Sequence, residues 1–415
     1  MRSKRLFALA RHAALAAALL LFALPATPAR AQKELVLWHA YRGDEKAALE
    51  EVVARYNAAN ASKGIKVTTL AVPYDAFADR VTAAVPRGKG PDLFIYAQDR
   101  LGGWIEAGNT IDPIDFYLDD ATKARYLKTS LDAMTYQGNV YGLPLDFKVI
   151  TMIYNKKLVS KPPTTTTELV TTAKRLTDAK TGRFGLAYSY SDFYYHAILM
   201  NAFGGGVFDA KRRPTLDSPA NVKSFQLLLK WLDTDKILPA EPSTALITSL
   251  FNDGNAAIVF SGPWFLGEIS KTIDYGLAPL PSVVEAGGAP MRPWMTVEGV
   301  YICTPSQNKD AAYDFAKFLT DAAAGKTMAL RGRQTPSNLK VYDDPQVKAD
   351  PILAEFRKQV EVAIPMPNLA EMTLVWSPAT TAMNVIVKKG ATPQAALSEA
   401  QKNVVAGIAR LRGGK

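Results

Sequence analysis

Apolar positions along the first part of the chain switch between two spacings. Residues 34–38 read E-L-V-L-W, a run that predicts a strand, and beyond Asp44 the positions Leu49, Val52, Val53 and Tyr56 recur at i, i+3, i+4 and i+7, the stripe of an amphipathic helix. Gly64 ends that helix. Ile65 to Leu70 is a β-branched strand, Asp75 to Val85 suits another helix, and Asp92 to Tyr96 follows Gly90-Pro91 as a third strand. Strand, helix, strand, helix, strand is the wiring of a parallel sheet with right-handed crossovers, and such sheets hold ligands outside the carboxyl ends of their strands. The residues just after Trp38 and Tyr96 therefore face the expected site.

Past Tyr141 the pattern changes to longer helical stretches punctuated by proline and glycine. Pro162-Pro163 leads into Thr165-x-x-Glu168, a capping box that starts a helix reaching about Leu176. Gly204-Gly205-Gly206 ends another helix after the tyrosine-rich segment Tyr188 to Tyr195. Val222 to Leu232 predicts a further one, and Gly262-Pro263-Trp264 places proline near a first helical position. Ala312, Phe315, Ala316 and Leu319 are helix-spaced, and Thr392-Pro393 opens a final helix carrying Leu397, Ala400, Val404, Ile408 and Leu411.

Composition bounds the class. At 415 residues the chain exceeds a domain of roughly 150, so two lobes with sizeable cores are expected, and 48% hydrophobic with 21% charged residues is a globular balance. The first segment stands apart. Arg2, Lys4, Arg5 and Arg11 precede an apolar run from Ala13 to Leu24, and Ala29-Arg30-Ala31 reads as a small-x-small cleavage site, so residues 1–31 are expected to be a signal peptide. The run falls short of the ~20 apolar residues of a membrane span. Its removal takes away Arg2, Lys4, Arg5, Arg11 and Arg30 and no acid, so the formal charge falls from +10 to +5. That surplus calls for neither nucleic acid nor membrane as partner, and Lys211-Arg212-Arg213 and Lys388-Lys389 read as solvated surface. Cys303 is the single cysteine, so it can form no intramolecular disulfide and reads as a buried hydrophobe. With no cysteine after the apolar run to carry a lipid, the mature chain is expected in the periplasm, as a monomer.

Catalytic signatures do not emerge. There is no G-x-S-x-G, P-loop or H-E-x-x-H, and only His39 and His196 survive signal cleavage, so neither a metal nor a cofactor is expected. Asp and Glu are plentiful, which leaves a secreted glycoside hydrolase with a carboxylate pair as an alternative.

What stands out is G-P-D-L-F-I-Y-A-Q-D-R-L-G-G-W from Gly90 to Trp104. With it go the strand ending at Trp38, G-I-K-V-T from Gly64, I-Y-N-K-K-L from Ile153, F-N-D-G-N-A-A-I-V-F-S-G-P-W from Phe251, Y-G-L-A-P-L-P from Tyr275, and the stretch from Met366-Pro-Asn to Trp376. In these blocks, and over essentially the whole mature chain, the sequence resembles the maltose/maltodextrin-binding proteins among the solute-binding proteins of sugar ABC importers. The resemblance implies an α/β, two-lobed periplasmic-binding-protein fold of class II type with the ligand cleft between lobes and three interlobe crossovers. The first lobe is expected near 32–146 plus 282–334 and the second near 147–281 plus 335–415. It further implies an oligosaccharide ligand, membrane permease subunits as partners, and no catalysis.

A sugar presents hydroxyls that donate and accept and C–H patches without charge, so its site needs carboxylates and guanidinium for the edge and aromatic rings for the face. By resemblance, Tyr96, Asp99 and Arg100 supply stacking and hydroxyl contacts from the first lobe, and Tyr194 and Asp192 contact ligand from the second. Trp264 and Trp376 are the aromatic platforms. Tyr41, Arg42 and Asp44 are candidates for polar contacts at the first strand's end, and Met366 is a candidate contact or a core residue. Three departures bear on specificity. The family's sugar-binding glutamate aligns near Lys148, with Asp146 two residues away; Tyr74 falls where the maltose proteins carry charged residues; and Thr380 aligns with an arginine. Either Asp146 takes over the hydrogen bonding or the ligand differs. A lysine facing the cleft suits an acidic sugar or a glycerol phosphate ester, whereas one paired with a neighbouring carboxylate is a bystander.

Overall fold

The computed structural model describes residues 33–413, so the signal segment expected at residues 1–31 lies outside the described residues. Leaving aside two two-stranded ribbons, the strands in chain order are β1 (Lys33–His39), β2 (Ile65–Ala71), β3 (Leu93–Ala97), β4 (Gly142–Lys148), β5 (Thr151–Asn155), β6 (Phe184–Ala187), β7 (Ala256–Ser261), β8 (Tyr275–Ala278), β9 (Trp294–Ile302), β10 (Thr335–Pro336) and β11 (Ile364–Pro365). They form two sheets. β1, β2 and β3 run parallel, Leu35 beside Val67 and Leu37 beside Leu93, with α1 (Gly43–Asn60) and α2 (Tyr74–Ala84) as crossovers, as the alternating pattern predicts.

A strand from much later in the chain completes this larger sheet. β9 lies antiparallel between β3 and β4, with Val300 beside both Ile95 and Leu143, and the order is β10-β4-β9-β3-β1-β2, with β11 pairing the start of β9. Every residue of β3, β4 and β9 is buried. Strands covered on both faces read as continuous apolar runs without alternation. The charged exceptions are Glu298 in β9 and Asp146 and Lys148 in β4, and Glu298 sits beside Asp146 in register.

The smaller sheet has the order β8-β5-β7-β6, with only β6 and β7 parallel. Its helices include α4 (Thr166–Leu176), α5 (Phe193–Ala202) and α6 (Pro219–Leu229), whereas α3 (Leu101–Ala107) follows β3 in the first lobe. The predicted capping box forms, with a shift: Thr165 Oγ1 accepts the Glu168 N–H (3.2 Å), but the Glu168 carboxylate turns back to the N–H of Thr164 (2.8 Å). α6 begins earlier than its apolar spacing suggests because Ser218 caps it, and it ends in a wider π-helical turn over Lys230–Thr234. Cys303 is buried beyond the end of β9, where burial pushes its thiol pKa up.

The chain crosses between sheets after β4, between β8 and β9, and again through the segment from β11 to α8 (Trp376–Val387), which leads to α9 (Pro393–Gly413). The carboxyl ends of β1, β2 and β3 thereby face the smaller sheet's unit across a cleft. α7 (Pro263–Leu266), after β7, carries Trp264, a partly buried ring packed against both large hydrophobic clusters. No helix among the described residues is long and apolar enough to cross a membrane.

Candidate functional site

Because β1, β2 and β3 are parallel, the turns that follow them share one edge of the sheet. That edge carries Tyr41 and Arg42 after β1, Tyr74 after β2, and Asp99 and Arg100 after β3. Asp99 is buried, its Oδ2 3.2 Å from Arg100 Nε; burial raises its carboxyl pKa to about 6 against the opposing pull of Arg100. The two glycines of the D-R-L-G-G-W run have a steric reason. A Cβ at Gly102 would stand 2.4 Å from Ala370 N and one at Gly103 would stand 2.6 Å from Thr373 Cγ2. The segment from Met366 to Trp376 thus lies directly on α3, and Gly102 N–H donates to Asn368 O (3.0 Å).

The second lobe presents rings. Asp192 caps α5, its Oδ1 accepting the Tyr194 N–H (2.9 Å), which aims Tyr194 towards Trp264 and Trp294 at centroid distances of 6.1 and 6.3 Å. Trp264 lies over Gly262, where any Cβ would sit 2.2 Å from its ring, and its indole N–H donates to Tyr195 Oη (3.2 Å). Beside it a small cavity is lined by Ser189, Tyr195, Thr244 and Ser261 together with Ile247, Phe260 and Phe265. Trp376, at the start of α8, meets Trp294 edge to face at 5.8 Å, and the Arg100 guanidinium from the other lobe lies 6.0 Å from its centroid.

At this meeting of lobes the Trp376 indole N–H faces the Asp99 carboxylate and Tyr194 Oη faces Thr296, contacts too loose to saturate these groups. Groups paired this loosely can exchange partners, so a ligand hydroxyl placed among them meets donors and acceptors already in position. Donors, acceptors and aromatic faces drawn from both lobes are what an uncharged, hydroxyl-rich ring requires.

Beneath the cleft lies a buried ionic cluster. Lys148 Nζ is 2.9 Å from Glu45 Oε1 and 3.1 Å from Glu298 Oε2, and 4.9 Å from the centroid of Tyr41. Tyr41 Oη donates its single proton to Glu298 Oε2 (2.7 Å), with Asp146 Oδ2 3.3 Å from the same oxygen. Burial opposes the charge on Lys148, but Glu298, Glu45 and Asp146 outweigh it and hold the ammonium protonated. Burial and then Glu298 push the Asp146 carboxyl well above the usual range. The lysine is therefore engaged by carboxylates, the pairing that makes it a bystander.

The structure gathers Asp99, Arg100, Tyr194, Trp264 and Trp376 around the cleft and places Arg42, Asp44 and Asp192, all exposed, at its rim. Asp146, Lys148 and Tyr41 belong to the cluster below. Met366 is buried in the second core, with its carbonyl taken by Gln98 Nε2 (3.0 Å). Tyr96 is buried among other rings. Sequence reasoning missed Glu45, Glu298, Glu268 and the part played by Gln98. For Glu298 a signal existed, since W-M-T-V-E-G-V-Y-I is an apolar strand interrupted by a single carboxylate, and a buried charge implies a partner.

Comparison with known proteins agrees with this arrangement. Residues 40–326 match the bacterial extracellular solute-binding protein family. The maltotriose-binding protein of Pyrococcus abyssi (strain GE5 / Orsay) is 32% identical over 381 residues, covering 90% of this chain and 82% of that one. The galactooligosaccharide-binding protein of Bacillus subtilis (strain 168) is 25% identical over 396 residues, covering 92% of this chain and 91% of that one. Among solved structures, the Thermus thermophilus maltotriose binding protein bound with maltotriose superposes with a TM-score of 0.82 at 28% identity, covering 90% of this chain and all of that one. Two lobes closing on rings and carboxylates, together with these likenesses, identify the chain as a member of the bacterial extracellular solute-binding protein family.

Proposed function

We propose that this chain is the ligand-capturing component of an ABC importer for a short maltodextrin such as maltotriose, binding it by closure of the two lobes. The observation that carries the reading is the set of rings on the second lobe, Trp264, Trp376 and Tyr194, set against Asp99 and Arg100 on the first. The names of the Pyrococcus abyssi and Thermus thermophilus relatives support maltotriose. The first lobe is built on β1–β4, β9 and β10 and the second on β5–β8. The ligand stabilises the closed form because it contacts both, and contacts to one lobe alone would shift no equilibrium. The role is capture without turnover, in the periplasm after removal of residues 1–31, as a monomer that delivers sugar to membrane permease subunits. An acidic sugar is disfavoured, since Lys148 is already engaged by Glu45 and Glu298.

Tryptophan fluorescence titration with maltose, maltotriose, a galactooligosaccharide and a uronic-acid oligosaccharide tests it. Saturable maltotriose binding that Trp264→Ala weakens by ~2 kcal/mol, the scale of a binding hot spot, is expected. A response to the galactooligosaccharide or the acidic sugar alone would overturn the maltodextrin assignment.

A further inference from the structure

On the first lobe's side of the cleft the open aromatic ring is Tyr74, not Tyr96. Tyr96 is 5% exposed, with two near-parallel rings against it: Phe77 at 5.0 Å and 11°, and Tyr74 at 5.2 Å and 22°. The Trp104 ring tilts in at 5.8 Å. A ring so enclosed has no face left for a sugar, whose C–H patch needs an open aromatic surface.

Tyr74 is the reverse case. It is the first residue of α2, and 51% of its surface is exposed although one face of its ring is covered by Tyr96. The open surface is therefore the opposite face and the ring edges. Its position after β2 puts it on the same sheet edge as Asp99 and Arg100, and its hydroxyl lies within electrostatic reach of Asp99 and Glu298. The neighbouring Asp75 is close enough to Asp192 to act on its charge, so closure brings the start of α5 to this end of the cleft. Packing against Tyr96, itself backed by Phe77, also fixes the ring before any ligand arrives, which lowers the ordering cost of binding.

We propose that Tyr74 is the first lobe's stacking platform for one sugar ring of the ligand, held rigid from behind by Tyr96 and Phe77. The sugar class rests on the function proposed above; the platform itself rests on the ring geometry. A tyrosine here exchanges the charged side chain expected by resemblance for a flat apolar face, which selects for chain length and ring contact over hydroxyl pairing.

The test is calorimetric titration of the full mature chain and of Tyr74→Ala and Tyr74→Phe with maltose and maltotriose, with thermal unfolding of each variant as a folding check. Tyr74→Ala should weaken maltotriose binding at least about tenfold, the effect of losing one aromatic contact, while Tyr74→Phe stays within about twofold of wild type. Equal affinity of wild type and Tyr74→Ala overturns the platform and leaves the function intact. An equal loss in both variants overturns stacking in favour of a hydroxyl contact. A wild-type chain that binds neither sugar overturns the platform along with the function on which its ligand rests.

Discussion

Arg42 Nε stands 2.6 Å from Glu268 Oε1, joining the turn after β1 to the turn after α7 across the mouth of the cleft. Glu268 is steadied by Thr248 Oγ1 (3.3 Å), and the backbones also meet here: a Cβ on Gly267 would lie 3.3 Å from Asp44 Cβ. Arg42 thus acts as a latch between lobes, and the contact exists only when they are together.

The latch predicts that Glu268→Gln weakens ligand binding without touching the sugar. The pair is partly exposed, 51% for Arg42 and 24% for Glu268, so its contribution is small, about 0.2–1 kcal/mol, and falls with salt. Titrations of Glu268→Gln, Arg42→Gln and the double variant at low and high salt read the coupling. Unchanged affinity at low salt would remove the latch.

Lys148 predicts a stability effect in place of a selectivity effect. Lys148→Met leaves Glu45, Glu298 and Asp146 facing one another in the interior without a counter-ion, which costs about 3–5 kcal/mol. Urea unfolding checks the loss. Gain or loss of binding to an acidic oligosaccharide, with stability unchanged, would return Lys148 to the ligand site.

Two buried groups give opposite pH dependences. Asp99 is raised from 3.8 to about 6 by burial, so the folded state binds its proton more tightly than the unfolded state. Its contribution is fully present below pH 3.8 and is lost as pH rises to about 6, a change of roughly 3 kcal/mol at most. His196 is lowered from 6.5 to about 3 by burial, beside Ser224 Oγ at 2.9 Å and against Phe225. Its contribution is present above pH 6.5 and is lost as pH falls to about 3. Asp99→Asn should therefore raise the stability of the ligand-free protein at neutral pH by about 1–3 kcal/mol and steepen its acid side, while weakening sugar binding. Unfolding curves from pH 4 to 7.5 that coincide for wild type and variant would refute the assignment.

Gly102→Ala should disturb the crossing segment. Its Cβ would meet the backbone N of Ala370 at 2.4 Å, which no side-chain rotation relieves, so either α3 or the stretch leading to Trp376 must shift, at a cost of about 1–3 kcal/mol. Thermal unfolding and the fluorescence of Trp376 report the two consequences separately.

The parallel half of the larger sheet was legible because each of its elements is local: the alternation of strand and helix from residue 34 to 96 appears in the spacing of its own residues. β9 was harder, since its place between β3 and β4 depends on partners far off in sequence. The site divides in the same way. Trp264 and Asp99 follow recognisable blocks, but whether a ring keeps an open face depends on what packs against it, and no motif tells Tyr96 from Tyr74 in that respect. The fate of Lys148 was open for the same reason, because Glu45 and Glu298 reach it from elements remote in the chain.

The position of β9 also sets a timetable. Until residues 294–302 have been made, β4 has no neighbour in the larger sheet on either side, because its other partner, β10, comes later still. The amino-terminal third of the chain can form helices and the β1–β2–β3 unit, but it cannot lock its sheet while synthesis is under way, and contacts of such long sequence separation form slowly. Chains halted before residue 294 should be cut readily by protease and chains extended past β10 should resist. A polypeptide built in this order remains unfinished, and threadable, for most of its own production.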